Sequence, residues 1–173
     1  MDPLISYSLP ISGLRDGLHQ FDFQIDDKFF ETFEASAIQR GDLKVHLEFD
    51  KHPSFYALDF QIEGTVWKEC DRCLEPFDLP LYAENSLKVK FDEVEREEAD
   101  VVYITRERKK LNVARFIYEF IHLAIPMSTT HDMADQDCDP DFLGFLTPEA
   151  QEAEPEKQEK PSVWDALKKL KDQ

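Results

Sequence analysis

A chain of 173 residues is long enough to bury a real core, and its 14 phenylalanines make that core aromatic-rich. Its formal charge of −17 opposes non-specific nucleic-acid binding, which rests on Lys and Arg displacing counterions from phosphates, and it favours basic partners. No stretch reaches the length of a membrane helix, and three cysteines behind an N-terminus without a signal-peptide pattern give the expectation of a reducing, cytoplasmic setting.

Residues 1–18 mix turn formers with the anchors Leu4, Ile5, Leu9, Ile11 and Leu14, and predict an extended arm or a single strand. Strict alternation follows. Phe21, Phe23 and Ile25 alternate with polar residues, as do Leu43, Val45, Leu47 and Phe49. Tyr56, Leu58, Phe60 and Ile62 repeat the pattern, and so do Leu87, Val89 and Phe91. Period-two alternation marks strands with one face on a core and one in water, the habit of antiparallel sheets. Asp50 to Ser54 read as a hairpin turn, and Gly64 as a bulge ahead of Trp67.

Cys70-Asp71-Arg72-Cys73 is the one place where demanding chemistry sits at a demanding spacing. A two-residue gap lets one tight turn aim both sulfurs at a single point, which suits a zinc knuckle or a redox dithiol. Two unligated reduced cysteines are the bland alternative. A redox motif opens a helix, whose N-terminus lowers the thiol pKa. Pro76 and Pro80 follow too soon for that, so the flanks favour metal. A closed zinc site needs two more ligands.

Asp92 to Asp100 read as an acidic loop with Arg96 its only base, and Val101 to Ile104 as a buried strand. Arg106, Arg108, Lys109 and Lys110 form the only basic cluster, read either as a solvated turn or as an RNA contact. Asn112 is placed as the N-cap of a helix over 113–125. Val113, Phe116, Ile117, Phe120, Ile121 and Ala124 give that helix one apolar face, and Pro126 stops it. His122 on or near this face reads as packed or surface, not as a ligand. His131 and Cys138 are the best candidates for the missing metal ligands, although their six-residue gap is wider than a usual knuckle. Asp132, Asp135, Asp137 and Asp139 do not fit an EF-hand spacing.

Residues 147–160 carry no large apolar side chain and read as a flexible acidic linker. Beyond it, 161–173 read as an amphipathic tail helix: Ser162 with Asp165 resembles a capping box, and Val163, Trp164, Leu167 and Leu170 form a stripe. Trp164, Leu167 and Leu170 are the candidate partner-binding residues, since so short a helix is marginal unless docked. The expected architecture is α+β: a core domain over 1–146, with a twisted antiparallel sheet covered by one main helix, then the linker and the tail.

Three separated blocks share one pattern. They are Cys70-Asp71-Arg72-Cys73-Leu74-Glu75-Pro76-Phe77, the helix end Leu123-Ala124-Ile125-Pro126, and Trp164-Asp165-Ala166-Leu167-Lys168-Lys169-Leu170. Together they resemble the YceD family, the large ribosomal RNA subunit accumulation protein family, from the third strand to the C-terminus. The resemblance implies a cytoplasmic role in ribosome biogenesis. Many members look as if they carry two cysteine pairs. Cys70 and Cys73 match the first. Where the second would stand, this chain has Cys138 and His131, which shifts the expected zinc site to Cys₃His.

Three functions compete. One is a non-catalytic assembly factor that touches ribosomal proteins or the pre-ribosomal large subunit. No glycine-rich phosphate loop or catalytic triad is recognisable, so no small-molecule substrate is expected, and with no stretch of membrane-helix length no membrane partner is expected either. The second is a direct RNA binder using Arg106, Arg108, Lys109 and Lys110 with Lys68 and Arg72. The third is a thiol oxidoreductase using Cys70 and Cys73.

Overall fold

The alternating runs become strands of one six-stranded sheet. A computed structural model describes residues 3–34, 36–98 and 100–138. After a 3-10 helix over Pro3–Tyr7 come β1 (Ser8–Leu9), β2 (Gly17–Ile25), α1 (Asp27–Glu31), β3 (Gly41–Lys51), β4 (Phe55–Glu69) and β5 (Pro76–Phe91). Then follow β6 (Arg96–Glu98), β7 (Val101–Ile104), β8 (Leu111–Asn112), α2 (Ala114–Ala124) and a last 3-10 helix, His131–Ala134. The strand order is β2-β3-β4-β5-β7-β6, and β1 pairs separately with β8. The fold is α+β, as the alternation predicts.

One sheet face forms the core. Leu43, Val45, Leu47 and Phe49 of β3 and Tyr56, Leu58, Phe60 and Ile62 of β4 are buried. Helix α2 covers this face, with Phe116, Ile117 and Ile121 buried and Phe120 meeting Phe60 edge-on at 5.2 Å between ring centres. Among the described residues no helix is long and apolar enough to cross a membrane.

Several expectations need correction. The arm over 1–18 is a 3-10 helix and a two-residue strand, with β2 already under way at Gly17. The acidic loop 92–100 holds β6, which pairs with β7. The sheet is not wholly antiparallel, because β7 runs parallel to β5. The helix starts one residue late: Val113 takes the N-cap position without a side-chain bond. Asn112, one residue earlier, still accepts the Ala114 N–H at 2.9 Å.

Gly64 is not a bulge. The register runs straight through it, with Leu43 on one side and Leu81 on the other. Its φ is +145°, and a Cβ there would lie 2.2 Å from the Asp42 carbonyl oxygen. Glycine is present because β3 comes too close for anything larger.

The hairpin of β4 and β5 positions the cysteines. The two strands pair from Phe55↔Lys90 to Glu69↔Pro76, so residues 70–75 form the loop that closes the ladder. Pro80 sits within β5 at no cost in hydrogen bonds. The Lys88 N–H bonds Asp100 on the far side of β5, so even-numbered β5 residues point away from β4. The missing N–H of Pro80 therefore faces away from the β4 ladder.

Candidate metal centre

The loop between β4 and β5 is a tight knuckle. The Cys70 N–H bonds Glu75 O at 2.9 Å, and the Leu74 N–H bonds Cys70 O at 2.8 Å. Leu74 closes the turn at φ 63°, in left-handed conformation. The Arg72 N–H points at Cys70 Sγ from 3.4 Å, so the backbone supports a thiolate there.

The other two ligands come from beyond α2. His131 opens the 3-10 helix and lies against Phe77, 4.8 Å between ring centres. That helix ends at Asp135, which is left-handed at φ 54°, and the Gln136 N–H turns back to His131 O at 3.1 Å. This reversal shortens the six-residue gap and returns Cys138 to the cluster. A gap too wide for an ordinary knuckle is spanned by a single helical turn.

Cys70, Cys73, His131 and Cys138 place their ligand atoms within 4.8 Å of one another, and all four are buried. Cys70 Sγ is 3.7 Å from Cys138 Sγ. His131 Nδ1 lies 3.3 Å from Cys73 Sγ and 3.7 Å from Cys138 Sγ. A tetrahedral ion bonded to sulfur at about 2.3 Å and nitrogen at about 2.0 Å has S···S edges of about 3.8 Å and S···N edges of about 3.5 Å. The three short edges, Cys70–Cys138, Cys73–His131 and Cys138–His131, match these lengths. This buried Cys₃His group can hold a metal ion.

Electrostatics point the same way. Burial opposes ionisation of Cys70. Hydrogen bonds from the backbone of Cys73, Arg72 and His131, with the Cys73 side chain, outweigh it and hold the thiol down at about 6. Cys138 goes the other way, to about 11, through burial and the adjacent Cys70 and Cys73 sulfurs. Packed sulfurs cannot all ionise unaided, and a cation among them would reverse that.

A second ring of contacts locks the two segments together. The Asp71 N–H bonds Thr129 O at 2.8 Å, and the Asp71 carboxylate accepts the Thr129 N–H in return. Arg72 pairs with Asp132 at 2.9 Å. Sequence reading missed both contacts, since a loop aspartate and a loop arginine look solvated. Because such supports orient ligands, Asp71→Ala should weaken metal binding by about 10- to 100-fold with the ligand set unchanged. Competition against a chromogenic chelator checks this.

The remaining site candidates lie elsewhere. Arg106 stacks on the Phe91 ring at 4.6 Å, and Arg108 pairs with Glu95 at 2.8 Å. Lys109 lends its carbonyl to the Ser12 N–H. The basic cluster is thus partly engaged within the fold. His122 donates its Nδ1–H to Tyr118 O at 2.8 Å, away from the metal group. No helix follows Cys73, because β5 begins at Pro76, and the dithiol lacks the helix N-terminus of a redox motif. Trp164, Leu167 and Leu170, the linker 147–160 and the tail 161–173 lie outside the described residues.

A family model described as large ribosomal RNA subunit accumulation protein YceD matches residues 58–171. The match spans most of β4, the knuckle, α2 and all four candidate ligands. No curated protein and no solved structure matches. With the match covering well over half of its 173 residues, the chain belongs to the YceD family of large ribosomal RNA subunit accumulation proteins.

Proposed function

We propose that this protein supports accumulation of large-subunit ribosomal RNA in the cytoplasm as a non-catalytic assembly factor, through contacts with basic ribosomal proteins. The family match over 58–171 carries the reading. The charge of −17 supports protein partners over bare RNA, since it repels phosphates and attracts basic surfaces. Zinc at Cys70, Cys73, His131 and Cys138 has a structural role here. Four protein ligands fill a tetrahedron and leave no open position for substrate. Trp164, Leu167 and Leu170 supply a short-range contact, because the field of the acidic domain is screened beyond about 8 Å at physiological salt.

Deleting the gene should lower the ratio of large to small subunits in sucrose gradients. Restoring the chain without 161–173 should fail to rescue it. An unchanged profile in the deletion strain, with redundant factors removed, would overturn the reading. The direct RNA-binding alternative predicts an affinity for RNA that falls steeply with salt and with loss of Lys109 and Lys110.

A further inference from the structure

The six-stranded sheet has two unlike edges. One is β6, three exposed residues that are all charged: Arg96, Glu97 and Glu98. Short charged edges resist further pairing. The other is β2, nine residues without proline or lysine, in unbroken register with β3 from Gly17↔Lys51 to Ile25↔Leu43. Among the described residues no strand pairs its outer side. The fold protects one edge and leaves the longer one without a partner strand, with Tyr7 engaging only its Gln24 end.

The ladder fixes which groups are free. The His52 N–H bonds Phe55 O, and the Trp67 N–H bonds Arg40 O. Even-numbered residues of β3 therefore point their backbone groups at β4, and odd ones at β2. By register, the odd residues of β2 answer them. The N–H and C=O groups of Leu18, Gln20, Asp22 and Gln24 consequently face outward. Gln24 agrees independently, since its carbonyl accepts the Tyr7 hydroxyl at 3.3 Å.

The two faces beside this edge differ. Leu18, Gln20, Asp22 and Gln24 are exposed on the open face, while Phe21 and Phe23 are half-buried on the core side. Beside β2 the open face has more acids than bases, Asp22, Asp42, Glu48 and Asp50 against Lys44, although Asp22 already pairs with His46 and Glu48 accepts from Gln20. Further across that face, over β3, β4 and β5, a groove of about 590 Å³ is lined by His46, Glu48, Asp59, Gln61 and Glu84 among others. Glu48 and Asp59 stand directly opposite each other across β3 and β4. Like charges so placed destabilise a sheet, and a cationic side chain over them would reverse the sign.

We propose that β2 takes up an extended basic segment of a partner protein as an added antiparallel strand. In that segment Lys or Arg alternate with apolar residues. The basic side chains lie on the open face towards Asp22 and Glu48. The apolar ones continue the row of Phe21 and Phe23. Main-chain bonds to the outward groups supply register, and the alternate side chains supply selectivity. A second copy of this chain would meet the same edge carrying its own charge of −17, which sets the two against each other. The partner class rests on the reading that basic ribosomal proteins are the partners, and it adds the surface they use.

The test uses the full chain and a short capped peptide of alternating arginine and valine, followed by fluorescence anisotropy and amide NMR. The peptide should bind and shift the amides of Leu18, Gln20 and Asp22, the outward positions that Tyr7 does not engage. N-methylating its arginines removes the N–H groups that face β2 in an antiparallel addition, and should weaken binding by about tenfold or more. N-methylating its valines keeps charge and shape, removes only outward N–H groups, and should leave affinity nearly unchanged. Gln20→Pro, which keeps every backbone bond to β3 and gives up only the Gln20 Nε2–Glu48 side-chain bond, should act like the first methylation, with Gln20→Ala as the control for that side-chain bond. Equal binding of both methylated peptides would reduce the effect to charge and overturn the proposal. So would shifts confined to the cysteine knuckle, or a protein dimer whose β2 amides are already protected without peptide. None of these readouts depends on the subunit profile. A failed profile would therefore leave strand addition standing, and a failed peptide test would leave the assembly role standing.

Discussion

Replacing Cys70 by serine is expected to lower the melting temperature of the full chain by roughly 10 °C. A structural ion at 100 times its dissociation constant contributes about 3 kcal/mol, and each kcal/mol moves a chain of this size by roughly 2–4 °C. Cys70 is fully buried, so serine leaves a polar hydroxyl among two sulfurs and an imidazole with no fourth ligand of matching softness. The loss should be concentrated in one region. The ion would join the β4–β5 loop to the segment holding His131 and Cys138, whereas the core of β3 and β4 is built from Leu43, Leu47, Leu58 and Ile62. Amide exchange should therefore speed up around residues 129–138 and change little in β3. A strong chelator should reproduce the loss in the natural protein and add nothing in the variant. Equal melting temperatures with and without chelator would show that no ion supports the fold.

Gly64→Ala should be more damaging still. The added Cβ would lie 2.2 Å from the Asp42 oxygen and 2.7 Å from Leu43 Cα, both of them backbone. No rotamer change relieves that. Gly64 is itself paired on both sides, with Leu43 and Leu81, so the start of β3 would have to move away from β4 where Leu43 also makes its pair with Ile25 of β2. A cost of about 4 kcal/mol or more is expected, a large part of the total stability of an ordinary domain. Gly17→Ala is the control. Gly17 also has positive φ, +119°, yet nothing lies within 4 Å of its Cβ position. That substitution should cost only the backbone strain, about 1–2 kcal/mol. Urea midpoints of the two variants separate close approach from conformational preference. Similar losses would contradict the account of Gly64.

The strands were legible where alternation was strict, as in Leu43 to Phe49 and Tyr56 to Ile62, because burying one sheet face leaves that mark on the sequence. The first half of β5 was not legible. Pro76 and Pro80 look like strand breakers, and only the ladder shows the Pro80 nitrogen pointing away from β4. Helix α1 went unread because five residues carrying the adjacent phenylalanines Phe29 and Phe30 show no helical period. The parallel pairing of β7 with β5 was hidden for a different reason. Alternation says which face a residue takes, and nothing about which strand lies beside it.

The candidate metal ligands were legible by elimination. A cysteine pair at knuckle spacing needs two more ligands, and Cys138 is the one other cysteine in the sequence, with His131 seven positions before it. What spacing could not supply was the path between them. The 3-10 turn and left-handed Asp135 bring them together. The clamps of Asp71 on Thr129 and of Arg72 on Asp132 were equally invisible, because each joins loops about 60 residues apart.

The buried group of three cysteines and one histidine can hold a single metal ion. Zinc-edge X-ray absorption on freshly purified protein tests it most directly. The expected result is one zinc per chain, with three sulfur neighbours at about 2.3 Å and one nitrogen at about 2.0 Å. Protein purified without chelator that carries no zinc, or zinc with only two sulfur neighbours, would contradict it.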